Sequence, residues 1–296
     1  MIRKLFFLFI VLATLPAKAD DLSDGAYLVH VSGCADCHTA RESEPLAGGY
    51  AIPTPFGTFY SPNISPDQET GIGKWTEHDL QQAIRRGLSP EGSIYWPAFP
   101  YRSYTKMTDG DIHKIYLYLM SQPPIKKVNR PHELNIRLLW GQRWLMNFWQ
   151  LLFFRGEPRN PLKRIKEGVD AFKPDPKKSA KWNRGAYIAE SLIHCTECHT
   201  PRGALGQIEA SQWMAGTENP LSGVAIPNIT PDPTTGITWS EQDWLTFLSS
   251  GIMPDGKQVG DEMADVIRNT SRLTQEDREA LIEYLRSLEP VMHYAK

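Results

Sequence analysis

The chain carries the same stretch of sequence twice, and this repeat restricts the folds open to it more than any other feature. Residues 25–41 read GAYLVHVSGCADCHTAR, and residues 185–202 read GAYIAESLIHCTECHTPR. Two further matches follow in the same order, pairing 61–92 with 226–256 and 107–121 with 273–287. Segments repeated in one order indicate repeated structural units. The sequence therefore predicts two copies of one domain.

The predicted domains lie at 20–124 and 181–296, with a bridge at 125–180. Each domain reads as a few helices joined by long proline-rich loops, so we expect an all-α fold. Capping boxes, glycine stops and a last helix opening on threonine place the helices; these signals are Thr76 with Asp79, Ser240 with Asp243, Gly87, Gly251, Thr108 and Thr274. Domains of about 100 residues with so much loop bury little on their own. We therefore expect a bulky apolar group at the centre of each.

Each copy contains the pattern Cys-x-x-Cys-His, which is typical of covalent haem attachment. Two thiols at this spacing form thioethers with the haem vinyl groups, and the adjacent histidine binds the iron. The predicted attachment residues are Cys34, Cys37 and His38 in the first copy and Cys195, Cys198 and His199 in the second. The sequence thus predicts two covalently bound haem c groups, which would also fill the two domain centres.

Other roles for these cysteines explain the sequence less well. A thioredoxin-like disulfide belongs with a βαβ pattern, which this sequence does not show. A four-cysteine zinc site or plain disulfides would leave the two adjacent histidines without a role.

The chain resembles the c-type cytochromes that accept electrons from periplasmic dehydrogenases of alcohols, aldehydes and sugar acids. The resemblance lies in RGAYIAESLIHCTECHTPRGALG (184–206), SPNISPDQETGIGKW (61–75), YWPAFPYRSYTKMTDGD (95–111) and NIRLLWGQRWLMNFWQLLFFRG (135–156). It implies small helical domains wrapped around haem, with electron donor and acceptor proteins as partners. Members that serve as dehydrogenase subunits typically carry three haem motifs, whereas this chain carries two.

The two copies differ at the position expected to supply the sixth iron ligand. In the second copy, Met263 lies seven residues after Gly256 and ahead of the last helix. Methionine opposite histidine is a common ligand pair in cytochromes c, so Met263 is the predicted distal ligand of the second haem. The same spacing from Gly92 in the first copy reaches Phe99, which cannot bind iron.

Met107 is the nearest substitute for the missing ligand, and it is the candidate for the distal position of the first haem. Its counterpart in the second copy is Leu273, so Met107 could equally pack in the core. His113, Met120, a tyrosine of YRSY (101–104), or no ligand at all are the alternatives. The remaining histidines lack a comparable spacing and are expected to have no ligand role.

The N-terminal residues 1–19 resemble a secretory signal peptide. Arg3 and Lys4 precede an apolar run, and Ala17-Lys18-Ala19 forms an Ala-x-Ala cleavage site. We therefore expect export to the periplasm of a Gram-negative bacterium. Removing Arg3, Lys4 and Lys18 from the 32 basic residues leaves 29 against 34 acidic ones, a balance that does not suggest nucleic-acid binding.

The bridge contains the most aromatic segment of the chain, at 136–154. Trp140, Trp144 and Phe148 recur every four residues, which would place them on one helical face. Only eleven residues separate Arg143 from Arg155, too few to span a bilayer. Packing between the domains is the favoured interpretation, and peripheral contact with a membrane is the alternative. The basic run at 155–184 is expected to be a solvated linker or a docking strap.

Taken together, these features predict an exported di-haem cytochrome c that carries single electrons between a periplasmic donor and a respiratory acceptor. One alternative is an enzyme acting on peroxide or a small sulfur compound at an open first haem. Tyr95, Tyr101, Arg102 and Tyr104 would then supply acid or base groups. A second alternative is a dedicated subunit of one dehydrogenase complex.

Overall fold

The computed structural model describes residues 19–41, 43–134, 145–154, 171–218 and 225–293. The predicted signal peptide falls outside this part of the chain, apart from Ala19. So do Trp140 and Trp144 of the aromatic segment, and 155–170 of the basic run. No helix in the described ranges is long and apolar enough to cross a membrane.

The first half of the chain, 19–134, contains five helices and three strands. They are α1 (Ala19–Val31), α2 (Cys34–Cys37), β1 (Ala51–Thr54), β2 (Gly57–Tyr60), α3 (Glu77–Arg86), α4 (Tyr101–Tyr104), α5 (Asp109–Ser121) and β3 (Glu133–Leu134). A short helix, α6 (Leu145–Phe153), follows in the bridge.

The second half of the chain, 171–293, repeats the helix order of the first. It contains α7 (Ala180–Tyr187), a π-helical turn at Ile188–Leu192, α8 (Thr196–His199), a 3₁₀ turn at Ala210–Gln212, β4 (Thr217–Glu218), β5 (Ala225–Ile226), α9 (Glu241–Ser250), α10 (Asp261–Thr270) and α11 (Gln275–Arg286). The π-helical turn accommodates the one residue by which the second copy of the motif exceeds the first.

The first and last helices of each half cross at a glycine. A β-carbon added to Gly25 would lie 2.2 Å from the carbonyl oxygen of Lys114, and one added to Gly185 would lie 1.9 Å from that of Ala280. Only glycine permits so close an approach of two helix backbones. The repeated GAY sequence thus sets the packing of α1 on α5 and of α7 on α11.

The predicted helix boundaries are confirmed. The Thr76 and Ser240 side chains each accept a hydrogen bond from the N3 backbone amide, and the Asp79 and Asp243 carboxylates each accept one from the backbone amide of the cap residue. Gly87 and Gly251 end the same two helices with φ of 62° and 74°, a conformation that glycine adopts readily. Thr108 and Thr274 cap the two last helices. The apolar stripe of α5 is buried through Ile112, Ile115 and Leu119.

The prediction of a purely helical fold is wrong in one respect, because the described residues contain two small sheets. β1, β2 and β3 form an antiparallel sheet, and β4 pairs with β5. The strands are two to four residues long, and β1 contains Pro53. Such short strands produce no readable alternation of polar and apolar residues, so they could not be predicted from the sequence.

Reciprocal hydrogen bonds join the two halves. The Tyr27 hydroxyl donates to Asp277 (2.6 Å), and the Tyr187 hydroxyl donates to Asp111 (2.5 Å). These residues hold equivalent positions, since each tyrosine belongs to a GAY sequence and each aspartate is the third residue of a last helix. One buried cluster of apolar side chains continues from the first half into the second. The interface therefore has approximate twofold symmetry.

Helix α6 packs against both halves through one face. Met146 and Trp149 are buried beside Ile94 of the first half, and the Trp149 indole N–H donates to the Leu205 carbonyl of the second (2.8 Å). Its opposite face is exposed, with Phe148 58% and Leu152 63% accessible.

Candidate functional site

The two Cys-x-x-Cys-His motifs begin at residues with left-handed backbone conformation. Gly33 (φ 72°) leads into α2, and His194 (φ 50°) precedes Cys195 and α8. The turn brings both cysteines and the histidine of each motif onto one short helical segment. All four cysteines are free thiols, so neither motif is closed by a disulfide.

Each motif histidine is held by a backbone carbonyl from a loop more than twenty residues away. The His38 Nδ1 atom lies 2.7 Å from the Pro62 carbonyl oxygen, and the His199 Nδ1 atom lies 2.8 Å from that of Pro227. A carbonyl only accepts hydrogen bonds, so Nδ1 must carry the proton and Nε2 must carry the lone pair. An imidazole fixed in this tautomer by its second nitrogen is the usual arrangement for a metal-binding histidine.

Matched glycines explain how the loop reaches the histidine. The Gly48 amide donates to the His38 carbonyl, and the Gly216 amide donates to the His199 carbonyl, each at 2.8 Å. Both glycines have positive φ, and a β-carbon at Gly48 would lie 2.4 Å from the Pro62 carbonyl carbon. The loop can pass beneath the histidine only because no side chain is present there.

An asparagine after each of these prolines anchors the loop to the chain that follows the last helix. The side-chain amide of Asn63 donates to the Ile125 carbonyl, and that of Asn228 donates to the Val291 carbonyl, each at 2.7 Å. Both asparagines are buried. The matched glycines and asparagines therefore hold each proline carbonyl in place, and the carbonyl in turn fixes the orientation of the imidazole.

Burial determines the protonation states at the site. It lowers the pKa of His38 and of His199, although the proline carbonyl acts in the opposite direction. It raises the pKa of the Cys34 and Cys195 thiols to about 12. In this protein the histidines are accordingly neutral at pH 7, as a metal ligand must be.

The two motifs lie close to one another. The pKa of Cys37 is raised to about 11, mainly by burial and to a lesser extent by the nearby carboxylates of Asp36 and Asp265. The Cys198 thiol of the second motif is also near enough to contribute. The Ser103 hydroxyl of α4 donates to Glu197 of the second motif (2.7 Å), and Arg202 forms an ion pair with the same carboxylate. The repeat alone gave no signal that the motifs lie close together, because that proximity depends on contacts between the halves.

Met263 and Phe99 follow matched backbone turns in the two halves. The Val259 amide donates to the Gly251 carbonyl (2.9 Å), just as the Tyr95 amide donates to the Gly87 carbonyl (2.6 Å). Met263 and Phe99 each follow four residues later, and both are half-buried against the shared apolar cluster. The two residues thus share their spacing from these turns, with Met263 inside α10 and Phe99 ahead of α4. Iron binding by Met263 stays a prediction.

Met107, the candidate ligand for the first haem, lies in the protein core. Only 1% of its surface is accessible, and its carbonyl accepts a hydrogen bond from Arg85 (2.7 Å). Leu273 is buried in the equivalent position of the second half, where its carbonyl accepts one from Arg278 (3.0 Å).

Most of the histidines expected to have no ligand role are engaged in other contacts. His30 accepts a hydrogen bond from Arg272 (3.0 Å), His132 accepts one from the Tyr60 amide (3.2 Å), and His293 bonds to the Ala215 carbonyl (3.1 Å). The ring of His194 packs edge-on against Tyr104, with the ring centres 5.3 Å apart.

Comparison with known proteins identifies the class of this site. The family model for cytochrome c matches residues 182–289. A protein described as "Diheme cytochrome c-type" from Cereibacter sphaeroides is 41% identical over 92% of this chain and 90% of its own length. This chain belongs to the cytochrome c family, and membership implies covalently bound haem c.

Other relatives are named as parts of dehydrogenases. The fructose dehydrogenase cytochrome subunit of Gluconobacter japonicus is 35% identical over 92% of this chain and 54% of its own length. The gluconate 2-dehydrogenase cytochrome c subunit of Pantoea cypripedii is 33% identical over 94% of this chain and 64% of its own length. The chain thus spans between half and two thirds of these two subunits.

The residues of the first motif fit a haem c as well as those of the matched second half. Both motifs combine two free thiols with an imidazole whose Nδ1 is bound to a carbonyl. The histidine is left with Nε2 as its metal-binding atom.

Proposed function

We propose that this protein is an exported di-haem cytochrome c with two tandem domains, 20–124 and 181–296, that carries single electrons between a periplasmic donor and a respiratory acceptor. The observation that carries the proposal is the duplicated histidine geometry: Nδ1 bonded to a carbonyl at 2.7 Å in one half and 2.8 Å in the other. An electron carrier needs no substrate-binding residues, only a redox group in a fixed environment.

Cys34 and Cys37 would hold the first haem covalently, with His38 as its proximal ligand. Cys195, Cys198 and His199 would hold the second haem in the same way, with Met263 on its distal side. The bound haem supplies a one-electron iron couple. The protein residues fix the histidine tautomer and surround the group with apolar side chains, both of which tune its potential.

The reciprocal interface would keep the distance between the two haems constant. Tyr27 with Asp277 and Tyr187 with Asp111 bind each half to the other, and Lys106 adds an ion pair with Glu190. Three polar contacts around a continuous apolar core resist relative movement of the halves. A constant distance between adjacent redox groups would allow electrons to pass from one to the other within the protein.

A dehydrogenase is the electron donor that we propose. The support is that relatives covering most of this chain are cytochrome subunits of fructose and gluconate dehydrogenases. The proposed periplasmic location rests on the N-terminal sequence, with its charged start, apolar run and Ala-x-Ala site. Because the chain matches only part of those subunits, membership of a stable complex is a separate question from electron transfer.

A haem count on the purified holoprotein tests the central proposal. We expect two c-type haems per chain by the pyridine haemochrome assay, and one in each of the double variants Cys34→Ser/Cys37→Ser and Cys195→Ser/Cys198→Ser. A wild-type protein with a single haem would contradict the di-haem assignment. Affinity purification from periplasm then separates a complex subunit, which brings down a dehydrogenase in fixed proportion, from a free carrier.

A further inference from the structure

We infer that the iron of the first haem has no protein ligand on its distal side and binds small uncharged gases there. This inference rests on the proposed function, because it requires a haem attached to Cys34, Cys37 and His38. It goes beyond that function in assigning the first half a ligand-binding site, whereas the second half would serve electron transfer alone.

The first half carries a phenyl ring where the second half carries a thioether, four residues after matched backbone turns. Phe99 stands four residues after Tyr95, whose amide bonds to the carbonyl of the glycine that ends α3. Met263 has the same relationship to Val259 and to the glycine that ends α9. Phe99 therefore lies as many residues beyond this turn as Met263 does, two residues before α4, whereas Met263 is the third residue of α10. A phenyl ring has no lone pair to donate to iron.

The surroundings of Phe99 are aromatic. Its ring centre lies 5.7 Å from that of Tyr104, 5.9 Å from that of Tyr95 and 6.3 Å from that of Tyr101. Tyr104 links this cluster to the first motif, because its hydroxyl donates to the carbonyl of Ser32, two residues before Cys34 (2.6 Å). Burial, together with the nearby Cys34 and Cys37 thiols, raises the pKa of Tyr104, which keeps its hydroxyl protonated.

Three of the other candidate ligands in the first half are held in different roles. Met107 is buried among apolar side chains of the core, as is Leu273 at the equivalent position of the second half. His113 lies at the surface of α5 with its Nδ1 3.0 Å from Glu77. The Tyr104 hydroxyl is bound to Ser32. Iron ligation by any of them would require an existing contact to break.

The chemistry of the cluster sets the class of ligand. The rings around Phe99 carry no formal charge, so a charged ligand entering this space would lose hydration that only the tyrosine hydroxyls could replace. Carbon monoxide and nitric oxide are uncharged and small. The polarity and steric access of the distal side determine which ligands a haem takes. The first haem should therefore bind these gases and discriminate against azide.

Carbon monoxide titration of the reduced, two-haem protein tests the inference. We expect about one molecule of gas bound per chain, from the change in the Soret band, since the His199 and Met263 pair would close the second iron. Phe99→Met should abolish this binding, because it restores a thioether at the same backbone position. Phe99→Leu is the matched control, similar in size and without a donor, and should still bind the gas.

Replacing Met263 with phenylalanine in the second half keeps the inference testable even if Phe99→Met fails to fold. Met263→Phe should raise the uptake to about two molecules per chain, since it would leave both irons without a distal thioether. A wild-type protein with two haems and no gas binding would overturn the inference. Gas binding gained by Met107→Leu or His113→Leu would then identify the ligand. A wild-type chain with one haem would instead contradict the proposed function itself.

Discussion

Tyr27 and Asp277 lie 250 positions apart in the chain, and the Tyr27 hydroxyl donates a 2.6 Å hydrogen bond to the Asp277 carboxylate. The same carboxylate accepts two hydrogen bonds from Arg184, at 2.7 and 2.6 Å. Tyr27 belongs to the first half, whereas Arg184 and Asp277 belong to the second. One carboxylate therefore joins three helices across the interface, and its loss should lower the stability of both halves.

Replacing Asp277 with asparagine should destabilise the holoprotein by about 1–3 kcal/mol, because the Arg184 guanidinium would lose its charged partner in a partly buried position. Arg184 retains some solvent contact, which keeps the effect at this modest level. Urea unfolding followed by tryptophan fluorescence measures it. Asp24→Asn, which removes an exposed ion pair with Lys114, is the matched control and should cost less than about 1 kcal/mol. Equal losses in the two variants would contradict the proposed importance of the interface.

The same carboxylate should make the interface sensitive to acid. Burial acts to raise the pKa of Asp277, but the hydrogen bonds from Arg184 and Tyr27 leave it below its ordinary value. A carboxyl with a lowered pKa in the folded state stabilises the protein above its unfolded pKa, about 3.9 for aspartate, and this contribution is lost as pH falls through the folded value. Stability measured from pH 6 to pH 3 should therefore fall less steeply in Asp277→Asn than in the wild type. An unchanged slope would contradict this assignment.

The carbonyl that orients His38 depends on Gly48, and this dependence is testable. Gly48→Ala would place a β-carbon 2.4 Å from the Pro62 carbonyl carbon, in a backbone conformation with φ of 68°. We expect the Pro62 loop to move away from His38 and the spectrum of the first haem to change. The control is Gly92→Ala, where φ is 81° but no atom lies within 4 Å. It should cost about 1 kcal/mol from backbone strain alone and leave the spectrum unaltered. The same spectral change in both variants would exclude the loop as its cause.

Features carried by local sequence were predictable. The capping residues, the glycine stops and the haem motifs each depend on a few neighbouring positions, and the repeat showed every one of them twice. Comparison of the copies also located Met263 and exposed Phe99 as its counterpart. The predicted caps and glycine stops are confirmed because the physics behind them acts over a single helical turn or loop.

Features that depend on distant contacts were not predictable. The Pro62 and Pro227 carbonyls are backbone atoms, which carry no residue-specific signal for binding a histidine. The Ser103 and Glu197 pair joins α4 to the second motif across 94 positions, and neither residue has a distinctive sequence setting. The strands were missed because pairing over two to four residues is decided by the surrounding fold.

Helix α6 exposes an apolar face to solvent. Phe148 and Leu152 lie one turn apart on this face, and Leu151 beside them is also exposed. Residues 135–166 contain seven Lys or Arg and a single acidic residue, Glu157. An apolar helix face flanked by basic residues favours contact with anionic lipid surfaces. We expect the holoprotein to sediment with vesicles containing phosphatidylglycerol, and less with vesicles of phosphatidylcholine alone.

Phe148→Ser/Leu152→Ser should reduce sedimentation with the anionic vesicles several-fold, because each side chain contributes apolar area to the contact. The control is Val128→Ser, which removes an apolar side chain that is 81% exposed elsewhere on the surface. It should leave vesicle binding unchanged, and both proteins should keep the wild-type haem spectrum. Equal binding by all three proteins would show that the exposed face of α6 does not meet lipid, and that the helix serves only to pack the two halves together through Met146 and Trp149.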